Sequence, residues 1–296
     1  MTASRTRRKP RTKLRVLKRW GYAKQTFTVP QLHIYQRPQT TDAKVVDEVL
    51  VGHAYQNKTA GLVIESDDVW LDLGGNIGTF ALFALATGAK VVSVEPEPEN
   101  ASLLRKNLAA NGTTFGNGLS KHPTVKQPAT LDDQARYDVV EAGVGVTAGK
   151  STLHLCSGEY NKYRHTMYTT KRWDARSRTW KTSARPRPTV QVRIVALTDL
   201  LRRYPTINAI KMDIEGAEIP LLESLDAATC KPLRKLVFEY TFDVDPSIPR
   251  FMAIVRRLKQ WFPTVHYTKV NPKDEEYRHY PPCTMVYCVR PEKGAK

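Results

Sequence analysis

The amino-acid sequence predicts an α/β protein whose mostly parallel sheet ends in an antiparallel hairpin. Three observations lead to this fold class. From Val69 onward, short apolar runs alternate with helical patterns, which is typical of βα units that build a parallel sheet. A glycine-rich turn joins the first apolar run to its helix, and no helical pattern separates the last two runs.

Each predicted element follows from its local pattern. The five parallel strands are expected at 69–73, 91–95, 137–142, 209–214 and 236–240. The helices are expected at 79–87, 98–110 and 250–262, the last with Ser247 as its N-cap. The closing hairpin is expected at 265–269 and 285–290, and an added hairpin at 151–155 and 190–195. Residues 113–136, rich in Gly, Pro, Thr and Asn, are predicted to form a surface loop.

The positive charge is concentrated in two segments. The chain carries a formal charge of +17. Residues 1–41 contain eleven Lys or Arg and no acidic residue, and residues 156–189 contain nine basic and two acidic residues. Such clusters favour a polyanionic partner, with nucleic acid as the first candidate.

The remaining composition limits the compartment. No run of about 18 apolar residues is present, so we expect no membrane partner. The four cysteines show no CxxC spacing, and we interpret them as reduced thiols of an intracellular protein, whether cytoplasmic, nuclear or organellar. The sequence does not indicate an oligomeric state.

The strongest chemical signal is the turn that contains Asp72, Gly74, Gly75, Asn76 and Gly78. Glycine lets a backbone approach a ligand and adopt positive φ. Because Asn76 occupies the position where a dinucleotide fingerprint, G-x-G-x-x-G, requires its second glycine, NAD is a poor match. The turn is better suited to the amino-acid end of S-adenosylmethionine, with Asp72 close to the ammonium group.

Acidic residues at the ends of the next two strands complete a candidate cofactor site. Glu95 ends the second strand about twenty residues after the glycine turn, where a carboxylate can accept hydrogen bonds from ribose hydroxyls. Glu141 and Ala142 end the third strand and are expected beside the adenine. A structural role for Glu141 remains an alternative.

Three charged residues in the fourth strand are candidates for catalysis. Lys211, Asp213 and Glu215 alternate with apolar residues, although a central parallel strand is normally apolar on both faces. Asp213 is expected to act as a base or to orient the acceptor, and Lys211 to stabilise a developing alkoxide. The alternative is that Lys211 pairs with Glu215 or Glu239 and only shapes the sheet. No spacing requires a metal.

Two segments together resemble the FkbM family of methyltransferases. They are WLDLGGNIGTFALFALATGAKVVSVEPEPENASLLRKNLAANG and IKMDIEGAEIPLLE, and the resemblance covers roughly residues 45–245. It implies a class I, Rossmann-like methyltransferase fold and S-adenosylmethionine as donor, with transfer to a hydroxyl. By motif, Asp72, Gly74, Asn76 and Glu95 would hold the cofactor, and Asp213 and Glu215 would face the transfer site.

The resemblance suggests a domain division. Residues 1–41 are expected to be a flexible basic arm, and residues 42–296 the methyltransferase domain with an insertion at about 156–189. The arm is interpreted as an RNA-binding tail, a transit peptide or a solvated tail. The insertion carries aromatic residues between its cations, which suits RNA, another acceptor or a structural extension; His165 within it is interpreted as a surface residue, with general base as the alternative.

The predicted function is O-methylation of a sugar or ribose hydroxyl, with RNA as a candidate acceptor. Two alternatives remain. One is methylation of a free glycan or small metabolite, and the other is a non-catalytic RNA-binding factor, for example in ribosome assembly.

Overall fold

A computed structural model describes most of the chain. The described residues are 13–15, 23–28, 31–112, 117–118, 131, 135–155, 165–167, 171–174, 179–182, 188–268, 270–278 and 283–291. Most of the loop predicted at 113–136 and most of the basic insertion therefore lie outside the described residues. The same holds for nearly all of the first twenty residues, for which the sequence predicts disorder.

The strands come in the following order along the chain. They are β1 (Lys13–Arg15), β2 (Ala23–Thr28), β3 (Gln31–Gln36), β4 (Val69–Leu73), β5 (Lys90–Glu95), β6 (Asn117–Gly118), β7 (Ala135–Glu141), β8 (Gly143–Gly145), β9 (Gly149–His154), β10 (Lys171–Asp174), β11 (Thr179–Thr182), β12 (Thr189–Ala196), β13 (Ala209–Met212), β14 (Lys235–Thr241), β15 (Thr264–Tyr267) and β16 (Cys283–Val289).

The helices are short, and one contains an irregular turn. They are α1 (Asp42–Val46), α2 (Thr79–Ala86), α3 (Pro98–Ala109), α4 (Leu197–Arg203), α5 (Glu218–Ser224), α6 (Ala227–Cys230) and α7 (Ile248–Leu258), with a π-helical turn at Asp47–Val51 directly after α1. The N-cap of α7 is the predicted residue, since the Ser247 hydroxyl accepts a hydrogen bond from the Arg250 amide at 3.3 Å.

One large sheet organises the molecule. Its strand order is β15-β16-β14-β13-β4-β5-β7-β6. Neighbours from β14 to β6 are parallel, whereas β16 is antiparallel to both β14 and β15. This is the predicted α/β fold of the class I methyltransferase type, and the carboxyl ends of the parallel strands meet at one edge.

Apolar side chains cover both faces of this sheet. Neighbouring residues of β4 alternate, with Trp70 in one core and Leu71 in the other. Helices α2 and α3 pack on the Trp70 side through Phe80 and Leu104, and helix α7 packs on the Leu71 side through Phe251. Such burial on both faces explains why the strands read as nearly continuous apolar runs.

A smaller sheet stands beside the main one. Strand β12 lies between β8, which is parallel to it, and β9, which is antiparallel. The antiparallel β9–β12 pair is the added hairpin that the sequence predicts. The described part of the insertion between these strands includes a second antiparallel pair, β10–β11.

The end of the predicted basic arm is part of the folded body. Strands β1, β2 and β3 form an antiparallel sheet. The side chains of Asn107 on α3 and of Asn111, which follows α3, bind the β3 backbone, and Leu32 and Ile34 are buried. The predicted boundary between arm and domain at residue 41 is therefore corrected. Residues 31–41 belong with the domain, because the short alternation Leu32-His33-Ile34 supplies a buried face.

Every predicted strand and helix is present, with end shifts of a few residues. The largest shift is in α7, which begins at Ile248 and ends at Leu258. In the described part of the chain, no helix combines the length and apolar character needed to cross a membrane.

Candidate active site at the carboxyl edge of the sheet

A cavity of about 280 Å³ opens at the carboxyl ends of β4, β5 and β13. The described lining comes from the glycine turn after β4, the segment from Lys44 to Tyr55, the end of β5, the β8–β9 region with part of the insertion, the loop after β13, and residues of β14 and β16. Strand ends of a parallel sheet commonly bind ligands at such an edge. The structure therefore brings the sequence-predicted segments together in one place.

The glycines of the turn are required by neighbouring protein atoms. Gly74 has a φ of +83°, and a Cβ atom there would lie 1.9 Å from the carbonyl oxygen of Asp213. A Cβ atom at Gly75 would lie 2.6 Å from the Leu104 side chain, and one at Gly78 would lie 3.2 Å from it. The sequence explained these glycines by approach to a ligand, and the structure adds close packing against β13 and α3.

The first three backbone amides of the turn donate hydrogen bonds to other groups of the protein. The Gly74 and Gly75 amides both donate to the Val94 carbonyl, at 2.9 and 3.0 Å. The Asn76 amide donates to the Glu95 carboxylate at 2.8 Å. Two side-chain oxygens on the cavity wall, Asn76 Oδ1 and Thr79 Oγ1, are buried without a hydrogen-bond partner among the described residues. Buried polar atoms are usually satisfied, so these two point to a ligand contact.

Asp72 lies beneath the cavity rather than on its wall. Its carboxylate is fully buried, 3.1 Å from the Lys211 ammonium group, and accepts a hydrogen bond from the Ser93 hydroxyl at 3.0 Å. Lys211 Nζ also donates to the Gly74 carbonyl at 2.7 Å. Burial alone would lower the pKa of Lys211, but Asp72 and Asp213 raise it above its ordinary value. The described ion pair of Lys211 is thus with Asp72.

Glu95 lies on the cavity wall and is almost fully buried. Its oxygens accept hydrogen bonds from the amides of Asn76 and Glu97, at 2.8 and 3.0 Å. Burial raises the pKa of Glu95 to about 7, although these hydrogen bonds oppose the shift. The two backbone contacts hold its carboxylate in one orientation at the end of β5.

Of the two residues predicted to lie beside the adenine at the end of β7, the structure places one on the cavity wall and the other on the surface. Ala142 lines the cavity. Glu141 is exposed, and its carboxylate binds Arg105 on α3 at 2.7 Å. The side chain of Glu141 therefore makes a surface ion pair with α3, as its structural alternative anticipated.

Asp213 faces the cavity and is held by a residue that the sequence did not single out. The hydroxyl of Tyr55 donates to Asp213 Oδ2 at 2.5 Å. Burial, together with the charge of Asp213, raises the pKa of Tyr55 well above its ordinary value, so Tyr55 stays a donor. Glu48 also lines the cavity, and its pKa is raised by burial and by Asp213.

Glu215 occupies a strained turn that two buried contacts maintain. Its φ is +51°, and its carbonyl accepts a hydrogen bond from the Thr166 hydroxyl at 2.6 Å. The buried carboxylate of Glu218 accepts from the amides of Gly216 and Thr241, at 2.8 and 3.0 Å. Burial raises the pKa of Glu218 to about 7. Glu218 thus ties the loop after β13 to the end of β14.

The basic insertion reaches the cavity through its residues 165–167. His165 and Met167 line the cavity wall, while Thr166 holds Glu215. The interpretation of His165 as a surface residue is therefore wrong, because its placement next to Thr166 brings it to the same cavity as Asp213. No local sequence signal distinguishes this His from a solvated one.

The cavity is acidic although the chain as a whole is basic. Among the described residues, the lining carboxylates outnumber the lining ammonium groups; the carboxylates are Glu48, Glu95, Asp213, Glu215 and Glu239, and the ammonium groups are Lys44 and Lys211. One of the two cations, Lys211, is already paired with Asp72. This environment favours cations and neutral hydroxyl groups and disfavours phosphate groups.

The described residues offer no metal-ligand cluster in the cavity. In the described part of the chain, one group of three potential ligands has its ligand atoms within 4.8 Å of one another, and it consists of Glu65, Asp67 and Asp68. These lie before β4, at the opposite edge of the sheet, and bind the side chains of Arg234 and Lys235. They serve there as partners of buried cations.

Comparison with known proteins identifies the family. Residues 72–261 match the sequence profile described as "Methyltransferase FkbM domain", which is more than half of the chain. The chain belongs to the FkbM methyltransferase family. The match begins at Asp72 and extends past the loop after β13, so it includes both motifs that build the cavity.

Individual relatives are distant. The methyltransferase sdnD of Sordaria araneosa is 24% identical over 237 residues, covering 71% of this chain and 79% of that protein. The crystal structure of the methyltransferase FkbM from Methylobacillus flagellatus KT is similar with a TM-score of 0.45 and 14% identity, over 79% of this chain and 49% of that one. This FkbM family member thus spans about half the length of that crystallised protein.

A second solved structure is similar to this chain over almost the whole length of the solved protein. It is the precorrin-6y C5,15-methyltransferase from Geobacter metallireducens GS-15, with a TM-score of 0.41 and 10% identity, over 86% of this chain and 93% of that one. The fold assignment of this FkbM family member rests on its own sheet order and on the family match.

Proposed function

We propose that this protein is an S-adenosylmethionine-dependent O-methyltransferase whose acceptor is a ribose hydroxyl in RNA. The observation that carries the proposal is the convergence on one cavity of the glycine turn, Glu95 and the Asp213–Tyr55 pair. A cofactor wall and a proton-accepting wall thus face the same space.

The cofactor wall fits S-adenosylmethionine group by group. Asn76 Oδ1 and Thr79 Oγ1, buried without a partner among the described residues, suit the ammonium and carboxylate of the amino-acid end. Glu95 is placed to accept from ribose hydroxyls, and Ala142 offers a small apolar surface for the adenine. When bound, the cofactor supplies an electrophilic methyl group on a sulfonium.

The acceptor wall has the groups needed to handle a hydroxyl. Asp213 accepts the proton that the acceptor oxygen must lose, while Tyr55 fixes the direction of its carboxylate. Lys211, held by Asp72 and the Gly74 carbonyl, positions the glycine turn against β13. Glu215 and His165 border the space that the acceptor enters.

RNA is favoured as the acceptor by the distribution of charge. Most of the excess positive charge of the sequence belongs to residues 1–41 and 156–189, whereas the described lining of the cavity carries mostly carboxylates. A nucleic-acid strand would therefore bind through its phosphates outside the cavity and present only a hydroxyl inside it.

Calorimetric titration of S-adenosylmethionine, alone and with a short structured RNA, tests the cofactor and the acceptor together. We expect binding that RNA strengthens, followed by transfer of tritium from the labelled methyl group to the RNA. Alkaline hydrolysis should leave the label in dinucleotides, because a methylated ribose 2′-oxygen blocks cleavage. Asp213→Asn is the matched variant, and it should bind cofactor without transferring the methyl group.

Other outcomes contradict specific parts of the proposal. Label in mononucleotides would place the methyl group on a base. Label in glycans or metabolites, with unlabelled RNA, would redirect the acceptor. Absence of cofactor binding would contradict the enzyme and favour an RNA-binding scaffold.

A further inference from the structure

The outer face of the β9–β12 hairpin carries an unusual pair of like charges. Lys150 and Arg193 are directly opposite each other in the antiparallel register, and both are exposed. Side chains at such positions are close neighbours, and like charges there destabilise a sheet. The arrangement needs an explanation other than hairpin stability.

The same face carries no acidic side chain. Alternation along the two strands places six residues on it, in three cross-strand pairs: Lys150 with Arg193, Thr152 with Gln191, and His154 with Thr189. The described contact of Arg193 is to a backbone group, the Glu141 carbonyl at 3.4 Å. The nearby Glu141 carboxylate is bound by Arg105. The face is thus polar, and its two cations stand together at the Lys150–Arg193 end of the hairpin.

The opposite face of the hairpin forms a wall of the candidate active site. Leu153, Val192 and Ile194 make a small apolar core there, and Leu153 lines the cavity. The Lys150–Arg193 face is therefore separated from the cavity by the thickness of a single sheet. The insertion that follows β9 in the sequence carries further Lys and Arg residues, and its described residue His165 lies in the cavity wall.

We propose that the Lys150–Arg193 face of the β9–β12 hairpin binds the phosphate backbone of the RNA acceptor. This inference rests on the proposed function and gives it a described surface. The acidic cavity repels phosphates, whereas this face attracts them and relieves the Lys150–Arg193 repulsion when they bind. Aromatic residues interleaved with the cations of residues 156–189 favour a strand with bases over an anionic membrane.

The test is salt-dependent binding of a fluorescein-labelled 15-nucleotide uridine strand to the full chain, measured by fluorescence anisotropy. The variant is Lys150→Gln with Arg193→Gln. Because each lost phosphate contact lowers the salt slope by about 0.7 for a single strand, we expect a slope smaller by about 1.4. Affinity at low salt should fall at least fivefold, since about 1 kcal/mol is fivefold in binding.

A control with the same net charge isolates the surface. Arg256→Gln with Lys259→Gln removes two exposed cations from the far end of α7. This control should keep the wild-type slope, and thermal unfolding should show both variants folded. An equal loss in both variants, or no loss in either, overturns the inference. Loss of binding to phosphatidylserine vesicles with unchanged RNA affinity assigns the face to a membrane instead and also overturns it.

Failure of the two proposals can be told apart. If the hairpin variant loses RNA affinity but wild-type protein methylates no RNA, the surface assignment stands and the acceptor assignment fails. If the wild-type protein methylates RNA but the hairpin variant binds RNA with the wild-type salt slope, the acceptor assignment stands and the surface assignment fails.

Discussion

Tyr55 and Asp213 are separated by 158 positions in the chain, yet the Tyr55 hydroxyl donates to the Asp213 carboxylate at 2.5 Å. The contact joins the segment after α1 to the end of β13, and Lys211 Nζ lies 5.1 Å from the centre of the Tyr55 ring. An N-terminal segment that precedes the family match therefore completes the candidate catalytic wall.

Tyr55→Phe tests whether this contact orients Asp213. The variant keeps the ring, which packs edge-on against Phe80, and removes only the donor. Loss of one hydrogen bond to a charged group is worth about 1.5–3 kcal/mol, so we expect kcat to fall by roughly tenfold or more. The Kd for S-adenosylmethionine should stay within about twofold, because Tyr55 touches the acceptor wall.

Tyr287→Phe is the matched control for that variant. The Tyr287 hydroxyl donates to the Ala54 carbonyl at 2.8 Å and anchors the same segment without touching Asp213. Its kcat should remain near the wild-type value. An equal loss in both variants would mean that the segment, and not the contact with Asp213, controls the rate.

The buried ion pair of Asp72 and Lys211 should contribute strongly to the free energy of unfolding. Lys211→Met leaves the Asp72 carboxylate buried without a counter-charge, and we expect unfolding to become easier by about 3–5 kcal/mol. The double variant Asp72→Asn with Lys211→Met should recover part of this loss. Urea unfolding of the two single variants and the double variant measures the coupling; strictly additive losses would show that the two residues do not stabilise each other.

Cofactor binding should depend on pH through Glu95. Its pKa in the folded protein is raised by burial to about 7, and only the ionised form accepts from two ribose hydroxyls. We therefore expect the affinity for S-adenosylmethionine to level off about one pH unit above this pKa and to fall by up to about tenfold per pH unit below it. Calorimetry from pH 5.5 to 8.5 measures the profile.

Glu95→Gln provides the comparison for the pH profile. The variant keeps the shape of the side chain but cannot titrate, so its weaker binding should be flat across this range. A wild-type profile without a pH dependence, or an identical dependence in the variant, would remove Glu95 from the cofactor site.

Gly74→Ala tests the close approach of the turn to β13. The added Cβ would lie 1.9 Å from the Asp213 carbonyl oxygen, and the φ of +83° is strained for alanine. We expect loss of measurable cofactor binding and a Tm lower by several degrees. Gly112→Ala, where a Cβ would meet no atom within 4 Å, is the control and should leave both quantities unchanged. Equal behaviour of the two variants would contradict the packing explanation.

The sequence was sufficient for most of the fold. The apolar runs predicted the parallel strands because both faces of the sheet are covered, and the terminal hairpin was predicted because no helical pattern separates its strands. The boundary of the basic arm was wrong, since Leu32 and Ile34 are only two buried apolar positions in β3, a pattern too short to predict a buried strand in a segment with eleven cations.

The sequence by itself determined which motifs carry the chemistry. The glycine turn, Glu95 and the segment that contains Lys211 and Asp213 are each local patterns, because strand, turn and helix follow one another within a few residues. Their meeting at one edge follows from parallel pairing of β4, β5 and β13.

Only the tertiary structure decided what each charged group contacts. Asp72 faces Lys211 because β4 and β13 are neighbours in register, and Glu141 turns to Arg105 because α3 passes over the end of β7. Tyr55 and His165 reach the cavity from segments with no motif of their own. Such contacts join residues far apart in the chain, and their distances depend on packing that no local pattern encodes.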